Sequence, residues 1–287
     1  MNNAGVKLIR MSKSSARWSF NWAEWSPTES DYRHAVSCVQ LDEMERIGRF
    51  VYRKDARASL VGRLMMRKFI NEYCDIPYDR VAFTRDGNNK PILKDRTRIV
   101  NFNVSHQGNF TVLAGELGDV SLGIDVMKME YTGGKVLSEF FRIMNRNFSS
   151  SEWSEIRGVA GTPETVQTAM FCRHWALKES YVKAIGVGIV ADLRKLDFRT
   201  NSPLSFNETV TDTKLRFDGA EQNWLFEESL IDHEHCVAVA LDKNPTNPES
   251  PVKFERLNFN DLMANAIPLH AEDARYANNY FGKEERP

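Results

Sequence analysis

A chain of 287 residues, 42% hydrophobic and 27% charged, carries enough apolar surface for a sizeable core in one large domain or two ordinary ones. Its 38 lysines and arginines almost cancel 39 acids, and the formal charge of −1 argues against a general polyanion binder. No stretch reaches the roughly 18 apolar residues of a membrane span. Lys7, Arg10 and Lys13 interrupt the first residues where a secretory leader would need an apolar core, and Cys38, Cys74, Cys172 and Cys236 lie far apart with no Cys-x-x-Cys pair, so neither a zinc site nor a disulfide framework is indicated. These features predict a cytosolic protein that does not enter membranes.

In chain order, Trp18 to Trp25 is aromatic and alternating, as in a strand. Thr28-Glu29-Ser30-Asp31 carries helix-start residues ahead of Tyr32 to Val39. From Leu41 to about Tyr73 the chain reads as helix, with possible breaks at Gly48 or Gly62, and Ile76-Pro77 stops it. Eight basic residues against one acid lie between Arg46 and Lys68; Arg49, Arg53 and Arg57 recur every four residues and would share one helix face. Such a stripe suits phosphates or an acidic partner, a plain solvated face, or nucleic acid, although no nucleic-acid motif accompanies it.

Val81-Ala82-Phe83 predicts a short strand before a turn at Asp86-Gly87-Asn88-Asn89, and strands follow at Val100 to Val104, Phe110 to Ala114 and Val120 to Met127. Helices are predicted near Lys135 to Asn147, Ser151 to Arg157 and Thr168 to Ile185, the last capped by Gly186 and Gly188. Four strands come next, around Leu196 to Phe198, Lys214 to Phe217, Trp224 to Glu227 and Cys236 to Leu241. Asn244 to Pro251 reads as a linker, and a final apolar patch spans Leu257 to Ile267 before the chain turns polar. No internal repeat is visible.

Two segments carry chemistry. In Val120 to Val126, alternation places Leu122, Ile124 and Val126 on one strand face and Gly123 with Asp125 on the other, away from the core. A carboxylate held on a strand is a hard oxygen ligand of the kind Mg²⁺ takes together with substrate phosphates, though an Asp after an apolar run is also an ordinary cap. In Trp175-Ala176-Leu177-Lys178-Glu179-Ser180-Tyr181-Val182-Lys183, Lys178 falls within an apolar arc formed by Phe171, Trp175, Val182 and Ile185, with Glu179 and Lys183 along its edge. A lysine in a buried stripe breaks the binary pattern, as functional sites do. The plain alternative is an i,i+4 surface pair, worth about 0.2–0.5 kcal/mol. His233-Glu234-His235 could pair on a metal but lacks a third ligand and reads as a polar turn. His174 reads as structural.

Gly123-Ile124-Asp125 followed by Trp-x-x-Lys-Glu-Ser-x-x-Lys resembles the signature of the Sfp-type 4′-phosphopantetheinyl transferases. Asn103-Val104-Ser105-His106 is similar to the family's Asn-x-Ser-His segment, and Glu45-Arg46-Ile47-Gly48 to its adenosine-side arginine. Arg85 to Pro91 is similar to a loop that usually reads Lys-Gly-Lys-Pro, with Asn88 and Asn89 in place of the first Lys and the Gly. Met127 stands where many bacterial relatives carry a third acid, as in the eukaryotic branch of the family, and the similarity runs from about Arg17 to Pro268.

The resemblance implies an α+β fold of two similar subdomains, 1–117 and 118–287, forming a pseudo-dimer in which each small antiparallel sheet packs on a long helix, with the active site between them in a monomer. It implies transfer of 4′-phosphopantetheine from coenzyme A to a serine of acyl or peptidyl carrier proteins, of the fatty acid synthase and aminoadipate-semialdehyde dehydrogenase kind, with release of adenosine 3′,5′-bisphosphate. Asp125 and Glu179 would ligate Mg²⁺, Glu179 would act as base, and Lys183 and His106 would meet phosphate. Arg46, Arg85, Lys90, Asn103 and Ser105 would complete the coenzyme A site, leaving Arg49, Arg53 and Arg57 to steer the carrier. A catalytically silent coenzyme A-binding protein is the alternative.

Overall fold

The computed structural model describes residues 14–131, 133–186, 192–206, 208–242 and 251–285. The linker expected from Asn244, the capping role of Gly188 and the reading of residues 1–13 lie outside them. In chain order the first half contains β1 (Ser15–Asn21), α1 (Glu29–Ser37), α2 (Leu41–Gly48), α3 (Arg53–Tyr73), β2 (Phe83–Arg85), β3 (Pro91–Leu93), β4 (Val100–Gln107) and β5 (Phe110–Leu117). The second contains β6 (Leu122–Lys128), α4 (Leu137–Ile143), α5 (Ser150–Arg157), α6 (Glu164–Ile185), β7 (Leu196–Arg199), β8 (Lys214–Phe217), β9 (Ala220–Glu221), β10 (Trp224–Leu230) and β11 (His235–Asp242). After these come β12 (Glu255–Arg256), α7 (Phe259–Met263) and α8 (Ala274–Phe281). No described helix is long and apolar enough to cross a membrane.

The α+β class with small antiparallel sheets is what the family resemblance implied. One sheet runs β12-β1-β5-β4 and another β10-β11-β6, with a β2-β3 hairpin and a β7-β8-β9 sheet beside them. Within the first, β1 and β4 flank β5 antiparallel, and only β12 joins parallel. Helix α3 lies on β4 and β5, and α6 lies on β6 and β11. Thr28 caps α1 through a capping box with Asp31, and Gly186 ends α6 at φ 70°, where a residue without Cβ fits best. Gly62 sits inside α3 without breaking it; the break falls at Gly48.

That break corrects the basic stripe. Arg49 lies past the end of α2 and Arg53 begins α3, so Arg49 does not join the face that Arg53 and Arg57 share. Arg57 is buried, stacks over Trp22 and pairs with Glu285, and Arg53 donates to the Lys283 carbonyl at 2.8 Å. The polar tail thus returns to the first half's core, with Tyr280 stacked on Tyr32 at 3.9 Å between ring centres.

Between the sheets lies a separate apolar cluster: Phe110, Val112 and Ala114 of β5 meet Leu122, Ile124 and Val126 of β6 and Val237, Val239 and Leu241 of β11. At its margin the fully buried Arg17 of β1 pairs with Glu116 of β5 at 2.6 Å and with Glu227 of β10 at 2.7 Å. Removing one member would strand the others, the usual reason such triads are costly to break.

Gly123 packs directly under α6. A Cβ there would sit 2.1 Å from the Ser180 carbonyl oxygen and 2.5 Å from the Ala184 nitrogen, both backbone atoms. Gly123→Ala should therefore lose stability at or above the upper end of the about 1–3 kcal/mol typical of overpacking, read from the midpoint of denaturant unfolding.

Candidate functional site

The face assignment on β6 holds, but its direction is corrected. Leu122, Ile124 and Val126 enter the inter-sheet cluster, while Gly123 and Asp125 turn toward α6, so Asp125 is 6% exposed and inside the protein. Its Oδ1 accepts from Lys183 Nζ of α6 at 2.7 Å and from Ser105 Oγ of β4 at 2.8 Å. Lys183 Nζ also donates to Ser105 Oγ at 2.9 Å and to the Ile124 carbonyl at 3.2 Å. Three elements therefore meet at one carboxylate.

Glu179 stands one turn before Lys183 on α6 and is half-buried. Burial, and then the Asp125 carboxylate, push its pKa above the ordinary glutamate value, against the pull of Lys183. Met127 packs against the second half's core and offers no oxygen. Among the described residues no group of three or more His, Cys, Asp or Glu side chains gathers at metal-holding spacing. The carboxylate oxygens here come from Asp125 and Glu179.

Beside this cluster is a cavity of about 200 Å³ on the first half, lined by Arg46, Arg63, Lys90, Asn103 and His106 together with Phe50, Met66 and Phe102 among its apolar walls. Arg46 Nη2 donates to Ser59 Oγ at 2.9 Å, and its guanidinium lies over the Phe50 ring at 5.6 Å. Lys90 is placed by a tight turn in which Asp86 Oδ1 accepts from its backbone N–H at 2.8 Å. Asn103 Oδ1 accepts from the Ile124 N–H at 3.2 Å, tying the cavity wall to β6. Burial and the positive neighbours Lys183, Arg46 and Arg63 hold the His106 imidazolium below the ordinary histidine range. Burial likewise lowers Arg46, Arg63 (to about 10) and Lys90. This concentration of destabilised cations favours an anionic ligand.

Of the residues expected at the site, Arg46, Lys90, Asn103 and His106 line the cavity. Asp125, Ser105 and Lys183 form the hydrogen-bonded cluster, with Glu179 beside them. Five of the nine expected residues stand outside the cavity lining: the four of this cluster and Arg85. Ser105 is buried between Asp125 and Lys183. Arg85 is exposed, with Nη1 donating to the Asn89 carbonyl at 2.8 Å, and acts on the cavity through its charge, which lowers Arg46 and Arg63. Asn88, which departs from the family loop, donates to the Gly186 carbonyl at 2.8 Å and links that loop to the end of α6.

The sequence reading left out Arg63 as a cavity residue, along with Phe50, Met66 and Phe102. Arg63 sits 3.2 Å from the buried Glu43 and shares an α3 face with Ser59, four residues before it, and Met66, three after it, both in the cavity lining. Lys178 is corrected to a structural role. It is 1% exposed and donates to the Leu193 carbonyl at 2.7 Å and the Leu196 carbonyl at 2.5 Å, with Glu152 at 2.9 Å. His174 is structural as expected, enclosed between Glu152 and Glu155. His235 begins β11 with Nε2 accepting from the Asn109 N–H at 3.1 Å, which leaves Nδ1–H for Asp232 at 2.8 Å.

Residues 23–118 match the family described as 4′-phosphopantetheinyl transferase, N-terminal, and residues 121–240 match the 4′-phosphopantetheinyl transferase superfamily. Similar proteins include the L-aminoadipate-semialdehyde dehydrogenase-phosphopantetheinyl transferases of Xenopus laevis, Rattus norvegicus and Homo sapiens. They are 40%, 43% and 41% identical, over 98%, 94% and 96% of this chain and 96%, 92% and 94% of their own lengths. A 4′-phosphopantetheinyl transferase of Bacillus pumilus is 29% identical over 53% of the chain. With a cationic cavity, a buried strand carboxylate and a helix-borne Glu–Lys pair already in place, this chain belongs to the 4′-phosphopantetheinyl transferase superfamily and is an enzyme of that class.

Proposed function

We propose that this enzyme transfers the 4′-phosphopantetheine group of coenzyme A to a serine of an acyl or peptidyl carrier protein, with Mg²⁺ and with release of adenosine 3′,5′-bisphosphate. One observation carries the reading: the cation-lined cavity shares Asn103 with the seam where Asp125, Glu179 and Lys183 gather, and His106 in its lining feels the Lys183 charge. A pyrophosphate spanning that seam would meet cations on one side and carboxylates on the other. The names of similar proteins point to carriers of the aminoadipate-semialdehyde dehydrogenase kind. Paired long-helix and antiparallel-sheet units support two related subdomains divided near residue 118, and a pseudo-dimer of this kind completes the site within a monomer. Buried free thiols suit the cytosol.

The donor chemistry fits Mg²⁺. Asp125 and Glu179 are hard oxygen donors, and the Asp125 charge already raises the Glu179 carboxyl, which is the mutual repulsion a shared cation relieves. A cation held there supplies Lewis-acid polarisation of the pyrophosphate. The serine oxygen forms its bond to the pantetheine-side phosphorus as the anhydride P–O bond breaks and the bisphosphate leaves, while Glu179 takes the serine proton. Its raised pKa makes it the stronger base. Lys183 places positive charge beside the transferred phosphoryl group, and Ser105 positions Lys183 and Asp125. His106, held neutral by its surroundings, donates to phosphate and gains charge as the anion enters. Arg46, Arg63 and Lys90 grip the nucleotide end, with Arg85 adding field from outside.

Because folding raises the Glu179 carboxyl, the native state binds the extra proton between the unfolded and folded values, and its ionisation costs stability as pH rises through that window. Glu179→Gln should raise the melting temperature at pH 7 and lose the advantage below the ordinary glutamate value of 4.5. The same variant should slow transfer by about 10²–10⁴-fold, measured as the mass gain of an apo-acyl carrier protein. Normal turnover would remove Glu179 from the mechanism. EDTA should stop the wild-type reaction and added Mg²⁺ restore it; activity that persists in EDTA would count against the metal. Asp125→Asn should bind coenzyme A yet transfer nothing, and a mass gain of the apo-acyl carrier protein with that variant would contradict its assignment.

A further inference from the structure

We infer that Lys283 to Glu285, the end of the described chain, are positioning residues for coenzyme A binding, acting on the link between α2 and α3; this rests on the cavity being the coenzyme A site. The link is residues 49–52, and it buries little of itself. The Arg49 side chain is 78% exposed and Val51 is 71% exposed. Yet the link carries Phe50, the cavity wall beneath the Arg46 guanidinium.

At the end of α2 the Arg49 and Phe50 N–H groups of the link satisfy the Arg46 and Ile47 carbonyls but not that of Gly48. The last carbonyls of a helix and its first N–H groups have no partners inside it. No side chain caps the start of α3 at Tyr52. The tail supplies both missing partners. Lys283 Nζ donates to the Gly48 carbonyl, the last of α2, at 3.0 Å. The Arg53 N–H, the first of α3, donates to the Glu284 carbonyl at 2.9 Å, and a parallel bridge joins Tyr52 to Glu284. Arg53 Nε donates to the Lys283 carbonyl at 2.8 Å, and Glu285 pairs with Arg57 one turn further along α3. Next to Arg57, Ala58 and Ser59 line the cavity, and Ser59 accepts from Arg46. The tail therefore clamps the link from outside at both ends while touching none of the cavity. A wall held in place before the ligand arrives reduces the ordering cost of binding.

The test uses Lys283→Met with Glu285→Gln in the full chain, and a second variant ending at Gly282. Titration calorimetry with coenzyme A, together with transfer kinetics, reads the effect. Each variant should raise both Kd and KM for coenzyme A about five- to twentyfold, as expected for one or two lost charge-assisted hydrogen bonds, with kcat at saturating coenzyme A within about twofold. Arg46→Ala on an intact tail separates the two readings. If Arg46→Ala weakens coenzyme A and the tail variants do not, the positioning role is overturned while the cavity assignment stands. If Arg46→Ala leaves coenzyme A binding unchanged, the cavity assignment falls and takes this inference with it. A fall in kcat matching the rise in KM would also overturn it, marking general loss of folded enzyme.

Discussion

The site depends on how two sheet edges meet. Strands β4 and β6 end their respective sheets and share no backbone ladder. Side chains join them instead. Alternate residues of β4 reach across: Asn103 to the Ile124 N–H, Ser105 to the Asp125 carboxylate and Gln107 to the Lys128 N–H. Edge strands leave unpaired backbone groups that would otherwise invite other chains, and here those groups are spent on building the seam. The same alternation sends Asn103 toward β6 and leaves His106 at the cavity, so one strand serves both sides of the site.

Lys183 completes the seam from the helix above. Its ammonium is held by three oxygens, from Ser105, Asp125 and the Ile124 carbonyl. The close fit of Gly123 beneath Ser180 and Ala184 makes that reach possible, since a larger residue would lift α6 away from β6. The chemistry therefore rests on a packing contact made by a residue with no side chain.

Charges elsewhere divide into two kinds by their surroundings. Arg17, Arg173 and Lys178 are buried with full sets of acceptors and hold elements together. Arg46, Arg63, Lys90 and His106 line the cavity with fewer negative partners, and each is less willing to carry charge than in water. A buried cation costs free energy unless paired, so the second group stores an electrostatic demand that an anionic ligand meets. Composition alone cannot separate the two groups, because lysines and arginines stand in both.

Local chemistry was legible from the chain itself wherever it acts over a few residues. The helix start at Thr28, the Asp86–Asn89 turn, the Gly186 cap and the alternation of β6 all follow from short-range sterics and hydrogen bonding, whereas the choice between Gly48 and Gly62 as the helix break did not. Motif spacing, through family resemblance, marked Asp125, Glu179, Lys183 and His106. Tertiary structure alone decided that Asp125 lies buried rather than outward, that Ser105 spends its hydroxyl inside the seam, that Lys178 braces α5 and β7, and that Arg53 and Arg57 turn to the tail. Each of those outcomes depends on a partner between 15 and about 230 positions away, as with Lys178 and Leu193 or Arg57 and Glu285. Helix and strand periods report which residues share a face, but which face another segment covers is settled only when the segments pack.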